Sequence, residues 1–373
     1  MSYQSPLLDA PGSIAPPDGN PEPGVPWHWG DPFAEQRTAT RSVAVVDRSH
    51  REVLRVSGPE RLSWLHLVIS QHVTELAGGT EALVLDSHGH VDAHMVLAHT
   101  GDAVHLDTDP GARATSALPK GGKQTLLEYL EAMKFWSKVE ISDVTGELAV
   151  LTLLGPEADR VLSTVDVSVA AAPYSVTTFE GGFARRMPWP GPASVDLVVP
   201  RSDLTGWWRR LTDAGARPAG TWAFDALRVE SLRPRLGVDT DERTIPHEVN
   251  WIGSAAHVAK GCYRGQETVA KVFNVGRPPR RMVLLHLDGS PEIYPETGDP
   301  VRLGERVVGR VGSVAQHHEL GPVALALIKR STPLDAELLA GAEDRAVPAA
   351  IDPDSVPAEG AAPGREAAAR LRG

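Results

Sequence analysis

Residues 260–267 read Lys-Gly-Cys-Tyr-Arg-Gly-Gln-Glu, and they hold the chain's single cysteine, Cys262, between Lys260 and Arg264 and ahead of a helix expected over Gln266 to Phe273. A helix N-terminus and neighbouring cations both favour thiolate over thiol, the form in which cysteine acts as nucleophile or metal ligand. The octet therefore nominates Cys262 as a functional thiol, with Lys260 as the cation that lowers its pKa. The competing reading is a small apolar side chain packed in a glycine turn, the ordinary fate of a lone cysteine. One thiol per copy allows neither an intramolecular disulfide nor a four-thiolate cage, so Cys262 offers at most one ligand to a cluster shared with a partner.

Outward from the octet, composition narrows the class. The 373 residues suit two or three domains at roughly 100–200 residues each. A formal charge of −11 gives no general attraction to phosphate backbones or anionic membranes, which argues against direct nucleic-acid binding. With 42% hydrophobic and 23% charged residues the chain has enough apolar surface for sizeable cores. The N-terminus has no charged and apolar signal pattern, and no run reaches the ~18 apolar residues of a membrane span, so a cytoplasmic location is expected.

Periodicity then divides the chain. Residues 1–35 carry Pro11, Pro16, Pro17, Pro21, Pro23 and Pro26 and read as a flexible leader. Over 36–278, strand-like runs such as Val53–Val56, Ala82–Asp86, Val91–Ala98 and Leu148–Leu154 alternate with amphipathic helical patterns, an α+β grammar that runs through two similar halves. Short strands separated by Gly or Pro over 279–331 read as a small antiparallel barrel. From 332 to 373 Ala, Pro, Gly and Glu dominate, and that tail is expected to be disordered.

The octet resembles the K-G-C-Y-x-G-Q-E signature of the folate-binding YgfZ family, relatives of the glycine-cleavage T-protein aminomethyltransferase, and all seven fixed positions match. The likeness runs from about Val43 to Arg330, through LDSHGHVDAHMVL, LRVESLRPRLGVDTDERTIPHE and TGDPVRLGERVVGRVGSVAQH. It implies an aminomethyltransferase-like cloverleaf of two α/β subdomains plus a C-terminal β-barrel, with tetrahydrofolate or a derivative in the central cavity. It also implies support of iron–sulfur cluster assembly or repair in client enzymes, including radical enzymes that modify tRNA, with those clients or assembly proteins as partners.

The resemblance further maps a folate-binding Glu onto Glu230, and its carboxylate suits the amino-pyrimidine edge of a pterin. Phe224 and Trp222, on the same expected helix, are candidate stacking faces, and Arg228 a candidate for the folate glutamate tail. Core positions explain both aromatics equally well. Where the T-protein pattern carries two adjacent aspartates, this chain has Ala93 and His94, with Asp92 one residue early and on the other face of a strand. The group that would assist aminomethyl transfer is therefore missing, and folate-dependent one-carbon transfer or demethylation stands as the alternative function. His88, His90 and His94 share strand parity, but no Cys joins them, so a metal centre there is not expected.

Overall fold

A computed structural model describes residues 3–111, 113–114, 124–191, 193–274, 276–290 and 292–356. Two open sheets and a barrel position the site. The first sheet orders its strands Gly79–Leu85, Val91–His99, Ala103–Thr108, Glu52–Ser57 and Glu140–Asp143, all antiparallel. Alternating side chains send Val84, Ala93, Met95 and Leu97 to one face, where they pack under Trp64, Leu65, Leu126 and Leu130 of the helices Arg61–Val68 and Leu126–Ala132.

The second sheet runs Val176–Phe179, Gly182–Met187, Ser194–Pro200, Leu148–Leu154, Ala44–Asp47 and Arg217–Ala219. Its pairs are antiparallel except the last, which is parallel. Helices Ala158–Thr164 and Leu204–Asp213 cover it, burying Val161, Leu162, Trp207, Trp208 and Leu211. Because Ala44–Asp47 precedes the whole first sheet in sequence yet sits inside the second, the two halves are interlocked. The third unit is a closed antiparallel barrel of Arg280–Leu287, Gly321–Lys329, Arg306–His317, Pro300–Leu303, Leu338–Ala340 and Val347–Ile351. The architecture is the expected α+β one.

Two expectations about the ends need correction. The leader is an ordered part of the body from Tyr3 onward: Leu7, Val25 and Glu22 are buried, and the carbonyls of Pro26 and Trp27 accept the first N–H groups of helix Thr221–Glu230. Prolines keep regular structure there to a 3-10 turn at Pro6–Asp9 and a single bridge between Ile14 and His28, but they do not forbid docking, and the leader supplies the carbonyl acceptors that the helix terminus needs. The contact is close enough that a Cβ at Gly220 would lie 2.0 Å from the Trp27 carbonyl oxygen. At the other end, residues 338–351 are barrel staves rather than tail. Leu338, Ala340, Val347, Ala349 and Ile351 are buried in strict alternation, and their strands close the barrel between Pro300–Leu303 and Arg280–Leu287. Of the expected tail, residues 357–373 lie outside the described residues.

Candidate functional site

Position 94 faces the middle of the molecule. On strand Val91–His99 the neighbours Ala93 and Met95 enter the core of the first sheet, so His94 emerges on the opposite face, where its ring stacks on Trp251 at 5.1 Å and 9°. Its Nε2 lies 2.8 Å from Oε2 of Glu81, a fully buried carboxylate on the adjacent strand Gly79–Leu85. Glu81 also accepts hydrogen bonds from the Tyr174 hydroxyl, from Trp189 Nε1 at 3.0 Å and from the Arg233 guanidinium at 2.5 Å. Burial alone would push this carboxyl up, but the bonds from His94 and Tyr174 and the charge of Arg233 outweigh it and hold it down to about 2. Sequence reasoning missed Glu81. The signal was a charged residue at the inward parity of an otherwise apolar strand, GTEALVL.

Around this group lies a small cavity lined by Arg48, Arg51, His94, Asp109, Trp189, Phe224, Arg228, Arg233, Pro234 and Arg235. Phe224 reaches it as expected, buried, with the Arg48 guanidinium 4.2 Å over its ring and Trp189 edge-on at 6.2 Å. The other expected folate contacts go elsewhere, because one helix cannot present every side chain to one side. Trp222, two residues before Phe224, faces outward and stacks on Trp27 at 4.6 Å. Glu230 is half exposed, 3.3 Å from His317 Nε2, and borders a separate cavity of about 320 Å³ beside Leu154, Pro190 and Leu227. The close approach of the His317 ring nitrogen holds Glu230 below the usual carboxylate range. Arg228 is buried and fully engaged, bonding Asp225 at 2.9 Å, Asp239 at 3.1 Å and Ser313 Oγ at 2.7 Å. It ties the helix to the barrel rather than waiting for an anionic tail.

The central cavity holds about 20 Å³, room for little more than one water, against several hundred for a typical ligand site. Its aromatic faces and carboxylates are of the right kind for a pterin, yet Glu81 is already saturated and Asp109 is paired with Arg51 at 2.5 Å. A folate does not fit this arrangement as it stands. Beside it, sharing Arg228 and Arg235 as wall, opens a cleft of about 690 Å³ between helix Thr221–Glu230, the barrel and leader residues 17–21.

The octet sits apart from that cavity. Gly265, at φ +78°, packs so closely on the hairpin turn 86–90 that a Cβ there would lie 2.6 Å from the Asp86 carbonyl oxygen and 2.8 Å from Gly89 Cα. Cys262 is exposed, against the packed-in-a-turn alternative. Lys260 has a different task from the one expected of it. Its ammonium is buried, donating to the carbonyls of His66, Ile69 (2.6 Å) and Gln71 (3.1 Å), where it caps the C-terminus of helix Arg61–Val68. Burial pushes this group down to about 8. Of the three clustered histidines, His88 and His90 stay together with ring centroids 5.9 Å apart and His90 paired to Asp86, while His94 turns to Glu81; among the described residues no group of three or more His, Cys, Asp or Glu is placed to hold a metal ion. Nor, among those residues, is any helix long and apolar enough to cross a membrane.

Comparison with known proteins fits this architecture. The aminomethyltransferase of Nitrosococcus oceani is 29% identical over 233 residues, covering 60% of either chain, so this chain spans less than two thirds of that relative's length. That of Rubrobacter xylanophilus is 29% identical over 331 residues, covering 86% of this chain and 84% of its own. Among solved structures, glycine cleavage system aminomethyltransferase T from Bartonella henselae shares the fold, with a TM-score of 0.79 over 94% of this chain and 96% of that one at 17% identity. Residues 26–256, well over half the sequence and ending just short of the octet, match the GCVT N-terminal domain, and the chain belongs to that family.

Proposed function

We propose that this is a folate-binding protein of the YgfZ type, working in the cytoplasm to support assembly or repair of iron–sulfur clusters in client enzymes, tRNA-modifying radical enzymes among them. Its own chemistry is that of Cys262 rather than of aminomethyl transfer. The observation that carries this reading is the strand Val91–His99: Ala93 is buried in the core and His94 takes the inward position, so neither residue opposite the T-protein aspartates brings a carboxylate to the cavity. Asp92 does not replace it: Val84 pairs with Ala93 and Leu85 with Val91, so Asp92 is the extra residue of a bulge, and it is absent from the cavity lining while lying within electrostatic reach of Tyr129 on the covering helix. Bound tetrahydrofolate would supply a one-carbon carrier. The exposed thiol would act on, or lend one ligand to, a cluster carried by a partner. In a strain lacking the protein, the wild-type gene should restore iron–sulfur enzyme activities and Cys262→Ser should not. Full rescue by Cys262→Ser would remove the thiol from the function.

A second reading, folate-dependent one-carbon transfer or demethylation, is favoured by the aminomethyltransferase names of the relatives. Multiple turnovers of methylene-tetrahydrofolate by the purified protein would promote it over the first.

A further inference from the structure

Among leader residues 3–25, Glu22 is the carboxylate carried into the interior, Asp9 and Asp18 being exposed. It is 2% exposed, with Oε1 2.6 Å from Arg235 and 3.5 Å from His50 Nε2. Pro21 and Pro23 flank it and have no backbone N–H to anchor the segment. The fit is incomplete: Glu22 Oε2, both ring nitrogens of His50 and Arg48 Nε are buried without a hydrogen-bond partner. Native interiors rarely leave four such atoms side by side, because each carries a desolvation cost that only a partner offsets. This cationic corner thus binds the leader's carboxylate without being satisfied by it.

Its position matters as much as its chemistry. Arg228 and Arg235 line both the cramped central cavity and the 690 Å³ cleft, and leader residues 17–21, next to Glu22, form one wall of that cleft. The lining of that cleft also offers Trp222 and Tyr294 as aromatic surface. We propose that the leader, Tyr3 to Val25, is a displaceable strap whose Glu22 carboxylate holds the place of a ligand carboxylate on Arg235 and His50, so that a heteroaromatic compound bearing a glutamyl group binds by expelling it. This rests on the folate reading and accounts for the misfit of a folate to the cavity in the strapped state. Apparent affinity is then reduced by the fraction of molecules in which the strap is closed.

Titration calorimetry with tetrahydrofolate and with 6-methyltetrahydropterin, which lacks the glutamyl group, tests this on the full chain and on Glu22→Gln. Expected is about a tenfold tighter tetrahydrofolate affinity for Glu22→Gln, with pterin affinity unchanged. In the wild-type chain, tetrahydrofolate should speed hydrogen exchange at the amides of Ser5, Leu8 and Trp27, which bond Gly24, Ser5 and Ile14 within the leader. This measurement decides alone if the variant fails to fold. Tetrahydrofolate binding with equal affinity to both proteins, or with leader amides still protected, would make Glu22 a permanent structural residue and overturn the strap. Absence of binding of either compound to either protein would sink the folate reading and the strap with it.

Discussion

At the residue scale, the molecule's charges are used inside it. Glu81 is fully buried yet ionised, because His94, Tyr174, Trp189 and Arg233 all point hydrogens at it. Its folded pKa, about 2, lies below the ordinary 4.5. The stabilisation is therefore complete above pH ~4.5 and is lost as pH falls toward 2, on the order of 3 kcal/mol in all. Urea midpoints measured across that window should fall less steeply for Glu81→Gln than for wild type; parallel slopes would mean that Glu81 is not the group titrating. Lys260 follows similar logic. Replacing it with Met keeps much of the stem but strands the carbonyls of His66, Ile69 and Gln71, so Lys260→Met should lower stability by ~1–3 kcal/mol, read from denaturant midpoints. Iodoacetamide should still modify Cys262 in that variant, because the thiol is exposed whether or not the ammonium keeps its place 4.9 Å over the neighbouring Tyr263 ring.

At the element scale, the octet loop is seated by glycine. Gly265 and Gly89 meet back to back, both at positive φ, with the Asp86 carbonyl and the Thr268 side chain filling the remaining space. A methyl group at 265 meets backbone on two sides and a dihedral that L residues rarely adopt. Gly265→Ala should therefore cost ~1–3 kcal/mol, and it should raise proteolysis in the 260–270 segment before the rest of the chain unfolds. An unchanged melting temperature would show that hairpin and octet do not press on one another. Helix Thr221–Glu230 gives the complementary lesson: 100° per residue turns Phe224 inward, Trp222 onto the leader and Glu230 toward the barrel's His317.

At the scale of the whole molecule, Asp239 is the joint between body and barrel. Only 2% exposed, it accepts from Arg228, from the Arg235 N–H at 2.7 Å, and from both the N–H and hydroxyl of Ser313 on the barrel strand Arg306–His317. Removing one partner of a buried ion pair leaves the other charge uncompensated, a loss of ~3–5 kcal/mol. Asp239→Ala should show it as a second, earlier calorimetric transition in which the barrel loosens from the two sheets. A single transition at the wild-type temperature would contradict the joint. Gln36 makes a parallel tie from the first helix, Pro32–Arg41, bonding the Gln316 carbonyl and the His318 N–H.

The sequence by itself determined the elements and their class. The continuous apolar run Leu148–Leu154, the partly alternating Val91–His99 and the helical spacing in Leu204–Asp213 depend only on neighbours along the chain, so the α+β order, the barrel and the exceptional octet are legible there. So is the substitution of Ala93 and His94 for aspartates. Only the tertiary structure decided where long-range partners come from. Leu338–Ala340 and Val347–Ile351 are too short to be seen as strands until a barrel needs closing, and a proline-rich leader has no pattern that predicts its docking. In one dimension Glu22 looks like an ordinary surface charge, Glu81 shows only as a charge at an inward strand parity, and Lys260 reads as the neighbour of the thiol. Their roles arise because folding takes them out of water, and a buried charge must find its compensation across tens to hundreds of residues, at Arg233, Arg235 and the carbonyls of a distant helix end.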